Sequence, residues 1–174
     1  MKEELKEWIR DILIAVAIAA LILVFFKPIV VKQDSMQPTF YSDDYVIVSR
    51  QAYSLFGEIE RGDVVIFESD LYDISGNPKI LIKRVIGLPG DTIEIKDGFV
   101  YLNGQKTDEP YLAEMGMSGE MDKVTVGEGK IFAMGDNRRV SQDSRSAVIG
   151  QVSQDHVIGK VVLRVYPFNS IRLF

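Results

Sequence analysis

The sequence contains no cysteine and a single histidine, His156. The first absence excludes disulfides, thiol nucleophiles and cysteine-based zinc sites. The second leaves no histidine cluster for a metal centre and only one ring for a Ser-His-Asp triad, and His156 resembles no catalytic motif. No metal and no other cofactor is expected. A basic surplus is also missing: 20 Lys and Arg stand against 25 Asp and Glu, for a formal net charge of −5. Without a Lys/Arg cluster, nucleic acid is not an expected partner. Repeats and low-complexity tracts are absent as well. What remains is a chain of 174 residues, 47% hydrophobic and 26% charged. That is enough for one cored domain plus an anchor, and too short for two catalytic domains.

A long apolar run is present. Residues 12–26 carry no polar side chain, and past Lys27 the apolar character resumes in Pro28-Ile29-Val30-Val31. About 20 such residues cross a bilayer core of about 30 Å. Trp8 and Lys27 stand where an interfacial aromatic and a snorkelling ammonium belong, and Pro28 is a natural helix stop. A cleavable signal peptide needs small residues just after the run, where this chain has Phe25-Phe26-Lys27-Pro28. A buried core helix needs a polar face, and residues 12–26 have none. Lys2, Lys6 and Arg10 before the run outweigh Lys27 and Lys32 after it, so the positive-inside bias sets the N-terminus in the cytoplasm. The expected division is a cytoplasmic tail at 1–11, a single-pass anchor at 12–31 and an extracytoplasmic β domain at 32–174.

Beyond the anchor the patterning is that of strands. Tyr45-Val46-Ile47-Val48, Asp63-Val64-Val65-Ile66-Phe67 and Ile80-Leu81-Ile82 are short β-branched runs between turn formers. Thr92-Ile93-Glu94-Ile95-Lys96 alternates, and Asp97-Gly98 and Asn103-Gly104 bracket Phe99-Val100-Tyr101-Leu102 as hairpin turns. Residues 130–134 and 157–166 read as later strands. Residues 105–128 read as a long loop or mobile excursion. The predicted fold is mainly β, a partly closed, barrel-like domain preceded by one transmembrane α-helix.

Four segments carry polar residues that folding alone explains poorly. Asp34-Ser35-Met36-Gln37-Pro38-Thr39-Phe40 follows the anchor directly and reads either as a turn or as a serine held near the membrane surface. In Lys79–Asp91, strand alternation sets Lys83 on the face of Leu81 and Val85, with Arg84 opposite. A lysine among apolar neighbours loses solvation and drops in pKa, as a general base requires. The alternative is an edge-strand lysine guarding against aggregation. Arg84 cannot lose its charge, so burial would oblige it to find a carboxylate. Gly135–Arg145 packs Asp136, Ser141, Asp143, Ser144 and Arg145 at short spacing, either as a solvated loop or as support around an active group. Arg61-Gly62-Asp63 reads by itself as a turn.

Taken in order, D-S-M-Q-P-T-F, R-G-D-V-V-I-F, K-R-V-I-G-L-P-G-D and G-D-N-R-R-V-S-Q-D-S-R resemble the four sequence boxes of type I signal peptidases, in their short Gram-positive form. The resemblance spans essentially the whole chain. It implies an all-β serine protease with a Ser-Lys dyad on an N-terminal membrane anchor, removing signal peptides from exported preproteins at Ala-X-Ala type sites. Position by position, it implies Ser35 as nucleophile and Lys83 as general base. Ser141 would hydrogen-bond the lysine amine, with Asp143, Arg145, Asp136 and Arg84 as a supporting salt-bridge shell. Val31, Met36, Phe40, Leu81 and Ile82 would line shallow pockets for small side chains. The family usually has Ser or Gly two residues before the nucleophile, at the oxyanion hole. Here Gln33 stands there, beside the Ser35 N–H donor. Expected partners are signal peptides and the lipid bilayer of the cell membrane. A self-cleaving repressor-type protease would carry a DNA-binding module where this chain has its anchor. A non-catalytic peptide-binding module has no need of Ser35, Lys83 and Ser141 together. A penicillin-binding type site would have lysine where Pro38 stands.

Overall fold

Residues 2–25 lack glycine and proline and are rich in strong helix formers, and they form one helix, α1 (Lys2–Phe25). The computed structural model describes residues 2–53 and 57–174. Met1 of the expected tail, and the Lys2 side chain counted toward orientation, lie outside the described residues. The Glu4–Phe25 part of α1 is long and apolar enough to cross a membrane, and its apolar window has no buried residue. A helix that is apolar all round and uncovered by protein is suited to lipid.

The anchor boundaries differ from those expected. Residues 2–11 are helical and continuous with the apolar run. At the other end the helix stops at Phe25, before Lys27-Pro28, because the residue ahead of a proline is steered away from α geometry. The Phe25 carbonyl accepts a hydrogen bond from the Arg50 N–H at 3.0 Å. Phe26–Val30, assigned from sequence to the anchor, is instead strand β1, and Val31 is 2% exposed in the domain core. β-branched residues favour extended backbone, and a partner strand meets their hydrogen-bonding need.

That partner is β2 (Tyr45–Ser49), antiparallel to β1 from Phe26↔Ser49 to Val30↔Tyr45. The chain continues through β3 (Val64–Tyr72), β4 (Pro78–Gly87), β5 (Thr92–Lys96), β6 (Phe99–Leu102), β7 (Gln105–Lys106) and β8 (Met121–Thr125). Then come β9 (Lys130–Met134), β10 (Val152–Ser153), β11 (Val157–Tyr166) and β12 (Arg172–Leu173). The larger sheet has the order β1-β2-β11-β3-β4-β9-β10, with β12 on β11, and the smaller the order β7-β6-β5-β8. The mainly β architecture is present, and both sheets remain open. Residues 105–128 are not one excursion: their two ends are β7 and β8 of the smaller sheet.

Both faces of β3 are buried. Val64 and Ile66 join Met36, Phe40, Val46 and Val48 in one apolar cluster, while Val65 and Phe67 join Leu81, Val85 and Ile131 in another. A third cluster, with Ile86, Ile93, Val100 and Phe132, lies under the smaller sheet. This central position of β3 gives β4 a rigid neighbour, in the register Val65↔Lys83 and Val64↔Arg84.

Candidate active site

Ser35 lies in a single 3-10 turn, Asp34–Met36, just after the chain leaves β1. Several hydrogen bonds set the turn. Asp34 accepts from the Gln37 amide at 2.9 Å and the Ser42 hydroxyl at 2.8 Å. The Asn137 N–H donates to the Ser35 carbonyl at 2.9 Å. Ser35 is 5% exposed.

Lys83 reaches it from mid-β4. Burial alternates along this strand, so Leu81, Lys83 and Val85 share a buried face as the pattern predicts. The amine donates to Ser35 Oγ at 2.8 Å and to the Ile82 carbonyl at 2.9 Å. The residue is 1% exposed. Burial lowers its pKa from 10.5 to about 8, against the pull of the Asp143 and Asp136 charges and with help from Arg145. An amine that sheds its proton near neutral pH, within bonding distance of a hydroxyl, can abstract the hydroxyl proton.

The loop after β9 surrounds the pair. Asp143 is buried, which disfavours its charge. The Arg145 fork at 2.8 and 2.9 Å and the Gly135 N–H at 3.0 Å outweigh that and hold the carboxyl below the usual range. Asp136 receives Arg84 through two hydrogen bonds, 2.9 and 2.7 Å, and also accepts from Thr39. Arg84 donates its remaining nitrogen to the Gly62 carbonyl at 2.8 Å. Gly135 is a second contact between loop and turn, beside the Asn137 hydrogen bond. A Cβ there would collide with the Ser35 carbonyl and with Ser141 Oγ.

Three expected placements change. Ser141 makes no hydrogen bond to the Lys83 amine. Its Oγ is buried over Gly135 with no partner of ordinary geometry, although it lies close enough to Asp143 to favour that carboxylate's charged form. The amine is already engaged by Ser35 and Ile82. Met36 and Phe40 are each 0% exposed and pack in the core, so they offer no surface to a ligand. Phe40 instead stacks on Phe174 with ring centroids 4.6 Å apart.

Val31, Leu81 and Ile82 do line a hollow. They share it with Lys27, Ile29, Val30, Gln33, Ile66 and Ile80 in a mainly apolar groove of about 280 Å³. Gln33 is exposed at this groove, adjoining the Ser35 turn. A larger hollow, about 670 Å³ between α1 and the β11 region, is lined, like the groove, by neither Ser35 nor Lys83. His156 lines that larger hollow and is exposed.

Sequence reasoning missed three participants: Thr39, Arg138 and Glu109. Thr39 and Arg138 sit inside the recognised motifs, but nothing marked them apart from their neighbours. Glu109 lies in a polar segment whose sequence gives no sign of burial. The Arg61-Gly62-Asp63 turn also does more than turn. Asp63 is 8% exposed and pairs with Lys160 at 2.6 Å, while Arg61 pairs with Asp91 at 2.9 Å.

Comparison with known proteins gives a consistent result. The family model described as "Signal peptidase, peptidase S26" matches residues 5–166. Signal peptidase I of Bacillus licheniformis is 40% identical over 181 residues, covering 98% of this chain and 94% of that protein. Signal peptidase IB of Staphylococcus aureus is 35% identical over 190 residues, covering 99% and 95%. A crystal structure of a signal peptidase I from Enterococcus faecalis matches with a TM-score of 0.51 and 33% identity, over 60% of this chain and 97% of that one.

Proposed function

Because this chain belongs to the signal peptidase family, peptidase S26, we propose that it is an anchored endopeptidase in which neutral Lys83 activates Ser35 to cut signal peptides from exported preproteins. Membership brings the broader activity, removal of signal peptides by a serine peptidase, and α1 fits a membrane-anchored protein. The observation that carries the finer reading is the 2.8 Å contact between the Lys83 amine and Ser35 Oγ, both groups being buried.

In the reaction, the amine takes the Ser35 proton as Oγ attacks the scissile carbonyl. The tetrahedral intermediate collapses to an acyl-enzyme, and the lysine returns the proton to the leaving amine. Water then attacks the ester, with the same lysine as base. The Ser35 N–H, which has no acceptor among the described residues, is one donor to the oxyanion. The Gln33 amide is the second, worth about 3 kcal/mol. Gln33→Ala with an unchanged kcat would remove Gln33 from that role.

The groove of Val31, Leu81 and Ile82 takes the substrate as an extended strand. Its modest volume suits small side chains, in keeping with Ala-X-Ala sites. Asp143, Arg145, Asp136 and Arg84 support the dyad electrostatically. With the N-terminus in the cytoplasm, α1 in the cell membrane holds the β domain on the outer side. Enzyme and membrane-borne substrate then share one surface, which raises their effective concentration.

The test is cleavage of an Ala-X-Ala preprotein in detergent by the wild type, Ser35→Ala and Lys83→Met. Cleavage by the wild type and by neither variant supports the dyad. Residual cleavage at the wild-type rate by either variant overturns it.

A further inference from the structure

The segment between β7 and β8 is clamped onto the loop after β9, and its innermost contact is a buried ion pair. Arg138 donates two hydrogen bonds to Glu109, at 2.8 and 2.6 Å. The two side chains are 2% and 9% exposed. Arg138 Nε also donates to the Gly135 carbonyl at 3.0 Å. Gly135 gives its own N–H to Asp143 and abuts the Ser35 carbonyl. On the other side, the Tyr111 hydroxyl donates to Glu109 at 2.7 Å, and its ring lies 4.2 Å from the Arg84 guanidinium. Glu109 thus connects, through at most two residues, to the nucleophile's turn and to both carboxylates that act on Lys83.

We propose that Glu109 is a positioning residue for the dyad, acting through Arg138 and Gly135 to hold Asp143 and the Ser35 turn in fixed relation to the Lys83 amine. The proposal rests on the Ser35–Lys83 reading above. Removing one member of a buried pair strands the other charge, whereas neutralising both is far milder. The nearby Arg139–Glu114 pair, 71% and 67% exposed, has no comparable leverage.

The charged groups around the site give each change a sign. Lys83 faces Asp143, Asp136 and Arg145. Arg138 faces Glu109, Tyr111 and Asp143, and Tyr111 faces Arg84. Without the Glu109 charge, Arg138 turns its field on Asp143 and weakens the support that carboxylate gives the ammonium form of Lys83. The amine then deprotonates at lower pH. Without Arg138, the stranded Glu109 charge adds to that support, and the amine deprotonates at higher pH.

The experiment measures kcat/KM against pH on the Ala-X-Ala preprotein, using the full chain in detergent, with Ser35→Ala as the blank. The variants are Glu109→Gln, Arg138→Met, their double combination and Glu109→Asp, each checked for thermal unfolding. We expect the single neutralisations to lower the plateau about 10-fold and to move the acid limb in opposite directions by about half a pH unit, down for Glu109→Gln and up for Arg138→Met. The double variant returns the limb to its wild-type position. Glu109→Asp keeps the charge but shortens the reach, so it leaves the limb in place and lowers kcat with KM unchanged. Limbs that stay put in both single variants overturn the proposal. If those variants do not fold, a wild-type kcat in Glu109→Asp overturns it. A wild type that does not cleave, or a Ser35→Ala that does, sinks the dyad reading itself.

Discussion

On one face of β4, Lys83 is 1% exposed, makes no ion pair among the described residues and has its pKa lowered to about 8. On the other face, one residue later, the Arg84 side chain is 12% exposed and its guanidinium grips Asp136 through two hydrogen bonds. Both residues bring a positive group to a dry site, and the outcomes are opposite. The lysine is desolvated, and the carboxylates that act on it do so without an ion-pair contact, so its neutral form becomes accessible near physiological pH. The arginine cannot shed its proton and is matched by a carboxylate. One strand therefore carries a titratable amine on one side and a permanent structural cation on the other, each set by what its side-chain chemistry permits.

Exchanging the lysine for a permanent cation breaks that contrast most severely. Lys83→Arg leaves a guanidinium that stays protonated at every working pH, and cleavage should fall by about 10⁴-fold or more. Single-turnover cleavage in detergent measures it, and a rate within tenfold of wild type would mean that Lys83 is not the base. The next effect falls on the other face. Arg84→Met strands the Asp136 carboxylate in a dry site and should cost about 3–5 kcal/mol of stability, with Arg84→Met/Asp136→Asn costing clearly less. Denaturant unfolding of the two variants reads the difference directly, and equal losses would show that the pair is not acting as a unit.

The smallest effect sharpens the lysine side through its titration. Between about pH 8 and 10.5 the unfolded chain holds a proton on Lys83 that the folded chain has released. Its contribution to stability therefore rises with pH across that window, and is lost as pH falls to about 8. The cost of a charged Lys83 at pH 7 is about 3 kcal/mol, so Lys83→Met should be more stable than wild type there by up to that amount. Thermal unfolding at pH 7 tests this, and a less stable Lys83→Met would contradict it. If Lys83 is the proposed base, kcat/KM should climb over the same range as pH passes about 8, since a general base works in its neutral form.

Much of the fold could be read from patterning. The runs at 45–48, 64–67, 92–96, 99–102, 130–134 and 157–166 all lie in strands, with Asp63 just ahead of its run, because β-branched runs and period-two alternation both mark extended backbone. Strand β1 was not readable. Its Phe26-Lys27-Pro28-Ile29-Val30 continues the anchor's hydropathy, and only pairing with β2 separates it from the helix. β8 was hidden too, since Met121–Thr125 is largely exposed and carries little apolar alternation. At the site, Ser35, Lys83, Asp136, Asp143, Arg84 and Arg145 were named from motifs, and the structure brings all six together. Met36 and Phe40 were misplaced because a motif gives adjacency to a serine and says nothing about which way a side chain points. Glu109 left no trace, since its partner Arg138 is 29 residues away.

By itself the sequence determined a lipid-suited helix, a strand-rich domain behind it, the family, and candidate site residues that include neither histidine nor cysteine. Those properties are local: they depend on composition, periodicity and contiguous motifs. Tertiary structure alone decided that Lys83 is dry, that Ser141 makes no hydrogen bond to the amine, and that a polar loop buries Glu109 against Arg138. Burial and electrostatic fields depend on which distant segments exclude water from a group, and chain spacing does not encode that.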